Sequence, residues 1–175
     1  MTLKGNFDLG YALGKYSDKK RTKIGKLVYN FKYRKNKKAG EILVDVSSQF
    51  IKENYPDFEL MVPVPPAAES QHYFSYRCFS KNLAERLQKP LENKLVQRIR
   101  FTPEQKNFRN LKDKRRNVRD GFKLTEPLKV KNRSILLIDD IYDSGATVTE
   151  ISHLLKSALA RKVFVFTIAK TGFYD

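Results

Sequence analysis

One cysteine, two histidines, two methionines and no tryptophan occur in the 175 residues. Each scarcity removes a class of protein. The single Cys78 forbids an intramolecular disulfide and a cysteine-rich zinc site, and it reads as a small packing residue rather than a nucleophile. His72 and His153 have no metal-ligand company at useful spacing. Long apolar runs are missing too, so no segment approaches the roughly 20 residues that cross a bilayer. The opening MTLKGNFDLG has no apolar core of signal-peptide length. These absences lead to the expectation of a cytoplasmic protein without membrane contact.

Acidic side chains are scarce relative to basic ones: 19 Asp and Glu face 35 Lys and Arg, a formal charge of +16. The imbalance is local. Residues 1–40 hold 12 basic against 2 acidic groups, and residues 81–133 hold 17 against 6. The intervening 41–80 are net acidic, and 134–175 are nearly neutral. Such a field attracts polyanions, either nucleic acid or small phosphorylated molecules, or it is simply a solvated basic surface. With 41% hydrophobic and 12% aromatic residues, the chain builds a real core.

Periodicity predicts the elements. Thr22 caps a helix whose apolar face is Ile24, Leu27, Val28 and Phe31. A second helix starts near Ala39 with Ile42, Leu43, Val46 and Phe50 on one side, and a third carries Phe79, Leu83, Ala84 and Leu87. Leu60 to Pro65 reads as a strand ending in a rigid proline turn, and Lys94 to Arg100 as a further strand. Residues 102–121 lose periodicity and become strongly basic, as a flexible loop does. The run Ser134 to Ile138 reads as a parallel strand buried on both faces. A helix with Val148, Ile151, Leu154, Leu155 and Leu159 follows, then a strand from Val163 to Ile168. This is a βαβ unit in an α/β protein. Gly10 to Lys15 imitates a P-loop but is one residue short before Gly14, with Tyr16 where a hydroxyl amino acid belongs.

The chemistry concentrates between that buried strand and its helix: Asp139, Asp140, Ile141, Tyr142, Asp143, Ser144, Gly145, Ala146, Thr147. Ligands of open α/β sheets bind beyond the carboxyl ends of the strands. A loop entering a helix N-terminus offers unpaired N–H groups and a positive dipole end to phosphate. Gly145 permits close backbone approach, and the Ser144 and Thr147 hydroxyls donate to phosphate oxygens. Asp139 and Asp140 repel phosphate, but they accept from a sugar diol or hold Mg²⁺ through water. A phosphate cradle beside two carboxylates describes a phosphorylated-sugar site. A phospho-acceptor aspartate as in response-regulator receivers, or a plain capping turn, are the competing readings.

Residues 135–147 resemble the phosphoribosyl-pyrophosphate (PRPP) signature of type I phosphoribosyltransferases: a hydrophobic strand, two acids, then a hydroxyl-Gly-x-Thr loop. The rest of the chain is similar to the competence protein F (ComF) branch. Phe31-Lys32-Tyr33 resembles its Leu-Lys-Tyr, and Val62-Pro63-Val64-Pro65 its Val-Pro-Val-Pro. Arg77-Cys78-Phe79-Ser80-Lys81 resembles its Arg-Gly-Phe-Asn-Gln, and Thr102 to Gln105 and Arg116 to Phe122 resemble two further segments. The branch's opening zinc ribbon is absent, Cys78 stands for a glycine, and Ser80-Lys81 stand for Asn-Gln.

The resemblance implies a type I phosphoribosyltransferase fold: a twisted, mostly parallel sheet flanked by helices, with a small N-terminal hood at about 1–35 and a core at 36–175 in a single domain. In such an enzyme Asp139 and Asp140 contact the ribose hydroxyls and, through water, Mg²⁺. Asp143, Ser144, Gly145, Ala146 and Thr147 bind the 5-phosphate, and the turn at Pro63, Val64 and Pro65 binds pyrophosphate. Arg115 and Arg116, backed by Lys112 and Lys114, belong to a closing catalytic loop; a solvated or nucleic-acid-binding surface is the other reading of that loop. Phe173 and Tyr174 pack, or stack on a nucleobase. The expected activity is Mg²⁺-dependent transfer of a phosphoribosyl group to an acceptor that no residue set identifies. The alternatives are nucleic-acid handling in DNA uptake and a non-catalytic PRPP-binding regulator. Many type I transferases form homodimers, although no interface stripe is visible here.

Overall fold

The computed structural model describes residues 1–66, 71–100 and 118–171. In chain order the elements are β1 (Leu9–Lys15), β2 (Ser17–Asp18), β3 (Lys20–Arg21), α1 (Lys23–Arg34), α2 (Lys37–Asn54), β4 (Leu60–Pro63), α3 (Gln71–Leu87), β5 (Val96–Arg98), β6 (Phe122–Leu124), β7 (Ser134–Tyr142), α4 (Ala146–Ser157) and β8 (Lys162–Lys170). Four strands form one fully parallel sheet in the order β1-β8-β7-β4. Two small antiparallel pairs, β2 with β3 and β5 with β6, stand outside it.

The apolar run at the start of β7 explains its central place. Ile135, Leu136, Leu137 and Ile138 are all fully buried, because each face of the sheet has its own core. Ile135 and Leu137 join Val163 and Val165 under α4, Leu95, Val96 and Phe122. Leu136 and Ile138 join Phe164 and Phe166 under α1, α2 and α3. Alternate side chains of a strand point to opposite faces, so both faces of this run need apolar cover. The α/β class and the mostly parallel sheet stand as the sequence reads them.

Several local expectations are corrected. Residues 1–35 are not set apart from the sheet, because β1 pairs with β8 from Leu9 to Lys15 as an edge strand. The would-be P-loop is this strand. On α2 the buried positions are Ala39, Gly40, Leu43, Val44, Ser47, Ser48 and Ile51, whereas Ile42 and Val46 are exposed. Small residues turn inward there because α1 lies close: a Cβ on Gly40 would come within 2.5 Å of the Phe31 ring. Helix α3 begins at Gln71, ahead of the apolar residues that announced it. Leu159 lies past the end of α4 and is 60% exposed. Strand β7 continues to Tyr142, so Asp139 and Asp140 sit on a strand rather than in a loop. No helix among the described residues is long and apolar enough to cross a membrane.

Candidate active site at the carboxyl edge of the sheet

Because the sheet is parallel, the carboxyl ends of β4 and β7 meet at one edge, with Pro63 in register with Ile138. Val64 N–H donates to the Ile138 carbonyl at 2.9 Å and to Tyr76 Oη at 3.2 Å. Tyr76 Oη in turn donates to the Ile138 carbonyl at 2.5 Å. This clamp from α3 brings the turn at Pro63, Val64 and Pro65 beside Asp139 and Asp140. Burial, followed by the charges of the two aspartates, pushes the Tyr76 phenol well above its ordinary pKa, so it stays a neutral donor.

The two aspartates have different partners, as neighbours along a strand must. Asp140 meets Lys32 of α1 at 2.5 Å, each side chain being 24% exposed. Burial acts to lower the Lys32 pKa, but the Asp140 charge outweighs it and holds the ammonium above its ordinary value. Asp139 accepts from the Asp140 N–H at 2.8 Å. Burial, and then the charge of Asp140, raise its carboxyl to about 8, against the opposing pull of that hydrogen bond, Lys32 and Arg98. The site thus sets Asp140, paired with Lys32, beside an Asp139 whose carboxyl holds its proton more tightly than an ordinary aspartate does. Across β8, the register partner of Asp139 is Thr167, fully buried, with no hydrogen-bond partner for Oγ1 among the described residues.

A consequence is measurable. A carboxyl whose folded pKa lies above its unfolded value of 3.8 binds its proton more tightly in the native state. Stability then falls as pH rises between 3.8 and about 8. Asp139→Asn removes that dependence. The variant is expected to unfold at a higher temperature than the parent at pH 8, with the difference shrinking toward pH 4, as followed by circular dichroism. A parent and variant with parallel pH profiles would contradict the reading.

Beyond Tyr142 the chain turns sharply. Gly145 has φ +74°, and a Cβ there would lie 2.2 Å from Tyr142 Oη. That ring is fixed, since Tyr142 is buried and its hydroxyl donates to the Lys4 carbonyl at 2.6 Å. Asp143 accepts from Thr171 Oγ1 at 2.8 Å, and Ser144 Oγ accepts from Ala146 N–H at 3.3 Å. Helix α4 starts with Gly145 as its cap residue, which has no side chain, and no acidic residue in its first turn. Such an end carries a partial positive charge that suits an anion.

Next to this edge a cavity of about 370 Å³ is lined by Pro63, Val64, Pro65, Arg77, Lys94 and Arg98 among others, with no acidic residue in its wall among the described residues. Arg98 holds the turn, donating from Nε to the Pro66 carbonyl at 3.1 Å and from Nη2 to that of Pro65 at 3.4 Å. Its guanidinium lies 4.5 Å from the Phe122 ring centroid. Burial draws its pKa below the ordinary value, and the Asp139 charge opposes that.

One strand-turn-helix run thus contains Asp139, Asp140, Asp143, Ser144, Gly145, Ala146 and Thr147, with Pro63 to Pro65 on the neighbouring strand end. Lys112, Lys114, Arg115, Arg116, Phe173, Tyr174 and the loop from 102 to 117 lie outside the described residues. Sequence reasoning did not select Lys32, Tyr76 or Arg98. Only Lys32 carried a signal, inside Phe31-Lys32-Tyr33. No three His, Cys, Asp or Glu side chains converge as a metal site among the described residues.

No family model matches the chain. It is 29% identical over 116 residues to Competence protein F of Haemophilus influenzae, covering 64% of this chain and 50% of that protein. Over 80 residues it is 32% identical to DNA utilization protein YhgH of Escherichia coli K12, covering 46% and 34% respectively. The chain therefore spans about half the length of the first relative and about a third of the second. A solved adenine phosphoribosyltransferase from Thermoanaerobacter pseudethanolicus aligns with a TM-score of 0.48 at 13% identity, over 78% of this chain and 82% of that one. By sequence, the chain is similar to Competence protein F and to YhgH.

Proposed function

We propose that the chain binds PRPP at the β7–α4 junction and transfers its phosphoribosyl group to an acceptor, releasing pyrophosphate. The observation that supports this reading is the continuity of the site: strand β7 carries Asp139 and Asp140, ends at Tyr142 and turns within three residues into the positive N-terminal end of α4. The ribose 5-phosphate takes the N–H groups of that helix end together with the Ser144 and Thr147 hydroxyls. Asp139 and Asp140 accept from the ribose diol, and Lys32 keeps Asp140 aimed. The pyrophosphate faces the turn at Pro63, Val64 and Pro65 beside the cationic cavity wall.

In the reaction the bond from the anomeric carbon to pyrophosphate breaks, an acceptor lone pair forms the new bond, and the acceptor gives up a proton. Negative charge grows on the leaving group, where fixed cations stabilise it more than they stabilise the ground state. Arg115 and Arg116, which the sequence resemblance matches to the catalytic loop of such transferases, are assigned to that role. Mg²⁺ bound through Asp139 and Asp140 would supply further charge neutralisation to the pyrophosphate.

Thermal unfolding by circular dichroism tests the binding half. With Mg²⁺ and PRPP at about 100 times its dissociation constant, stabilisation of about 2.7 kcal/mol raises the midpoint by roughly 5–10 °C. Mg²⁺ alone gives no comparable shift. Unchanged midpoints at millimolar PRPP would overturn the proposal. Pyrophosphate release during an acceptor screen separates a transferase from a regulator that binds without turnover.

A second reading, DNA handling, is favoured by the printed name of one relative, DNA utilization protein, and by the +16 charge. It is compatible with a PRPP site, since the basic field extends far beyond the β7–α4 junction.

A further inference from the structure

We infer that Tyr76 is a positioning residue for PRPP: its hydroxyl fixes the gap between the β4 turn and Asp139, and so governs ligands that span both strand ends. The inference deepens the PRPP reading above and rests on it. Strands β4 and β7 are paired from Leu60 and Ile135 to Pro63 and Ile138. There β4 ends, while β7 runs on through Asp139 and Asp140 to Tyr142. A further rung lies beyond the last pair, from Val64 N–H to the Ile138 carbonyl at 2.9 Å. Tyr76 Oη donates to that same carbonyl at 2.5 Å and accepts from Val64 N–H at 3.2 Å. The three groups close a triangle at the point where the two chains part. The Ile138 carbonyl belongs to the planar peptide that carries the Asp139 N–H, so its direction sets the backbone that aims Asp139.

Both sides of the triangle are stiff. Tyr76, Phe79 and Leu83 follow helical spacing on α3, and Phe79 and Leu83 are buried in the core that Ile138 joins. Ser80 Oγ donates to the Tyr76 carbonyl at 3.0 Å. On the other side, Pro63, Pro65 and Pro66 have fixed φ angles and no N–H. Val64 therefore holds the one backbone donor of residues 63–66, and the triangle uses it. Arg98 takes the carbonyls of Pro65 and Pro66. A turn so clasped moves as a unit, and residues 63–66 serve the pyrophosphate by their place rather than by N–H groups. Val64 N–H and the Ile138 carbonyl keep each other when the phenol is removed, so the hydroxyl is not needed to satisfy the backbone. What it contributes is the spacing.

Calorimetric titration of the full chain with Mg²⁺ and PRPP, and separately with ribose 5-phosphate, tests the assignment. Ribose 5-phosphate reaches the β7–α4 end alone, whereas PRPP also reaches the turn. Tyr76→Phe is expected to weaken PRPP by about tenfold, as a small misplacement of binding groups does. It leaves ribose 5-phosphate within about twofold of the parent, since that ligand does not span the gap. Its unfolding midpoint stays within about 4 °C of the parent, because one net hydrogen bond is lost. Phe79→Leu loosens the same helix and keeps the hydroxyl, so it changes the two affinities alike. A parent that binds neither ligand would overturn the PRPP reading, and the role of Tyr76 with it. A parent that binds PRPP while Tyr76→Phe weakens both ligands equally, or neither, would overturn the role and leave the reading standing.

Discussion

Gly145→Ala is expected to lower the unfolding midpoint by about 6–12 °C and to abolish any response to PRPP. Two costs add. Holding a residue with a Cβ in the left-handed region costs about 1–2 kcal/mol. The new methyl would also meet Tyr142 Oη at 2.2 Å and Cζ at 2.5 Å. Tyr142 cannot yield cheaply: it is buried, it donates to the Lys4 carbonyl, and the Lys170 ammonium lies 5.7 Å from its ring. A total near 3 kcal/mol corresponds to the stated shift for a chain of this size. Moving the ring also displaces the residue that ends β7, so the α4 N–H groups lose their aim. Thermal unfolding of the variant with and without PRPP checks both parts. A midpoint within about 2 °C of the parent would show that the turn is not constrained as described.

Lys32→Met is expected to destabilise the fold by about 2–3 kcal/mol and to weaken PRPP binding. Removing one partner of a fully buried pair costs roughly 3–5 kcal/mol because a charge is left uncompensated. Exposure of 24% on each side chain places this pair below that range. The loss spreads to Asp139, since Lys32 is one of the groups that hold its carboxyl down. Its titration, followed by carboxyl carbon resonances, should move upward from about 8. Lys32→Arg keeps the charge and most of the stability. In the double variant Lys32→Met with Asp140→Asn, much of the lost stability returns, because no unpaired carboxylate remains. Additive losses in that cycle would mean that the two side chains do not depend on each other.

The contrast between these two residues shows what the sequence made legible. Gly145, the aspartates and the hydroxyls lie within nine consecutive positions, and strand, turn and helix start each leave a local mark. The buried run from Ile135 to Ile138 could belong only to an interior strand, and the helix after it followed from its own period. Lys32 acts across 108 positions, a distance at which local pattern says nothing. Arg98 and Tyr76 likewise gain their roles from what the fold places beside them. β1 went unread because Leu9-Gly10-Tyr11-Ala12-Leu13-Gly14 mixes small and large residues, as a half-covered edge permits. The α2 face was misplaced because Gly40, Ser47 and Ser48 point inward where a hydrophobicity pattern expects Ile42 and Val46. Close helix packing selects for small size there, and hydrophobic periodicity does not record size.

The pH behaviour of Asp139 connects stability to function. A carboxyl held neutral by burial costs the fold stability at neutral pH, and that cost persists where a ligand restores the balance. Hydroxyl donors from a ribose favour the ionised form, as hydrogen bonds to a carboxylate do. Binding is then expected to release a fraction of a proton from the site near neutral pH.

Calorimetric titration of Mg²⁺ and PRPP into the parent and into Ser144→Asp tests the central claim most directly. A carboxylate before the first turn of α4 suits the helix dipole, by about 0.3–1 kcal/mol, so the fold keeps its stability. The same carboxylate repels a phosphate from the helix end. The account predicts a saturable heat for the parent, none for Ser144→Asp, and unfolding midpoints within about 2 °C of each other. Equal affinity in both proteins would place the phosphate elsewhere and contradict the account.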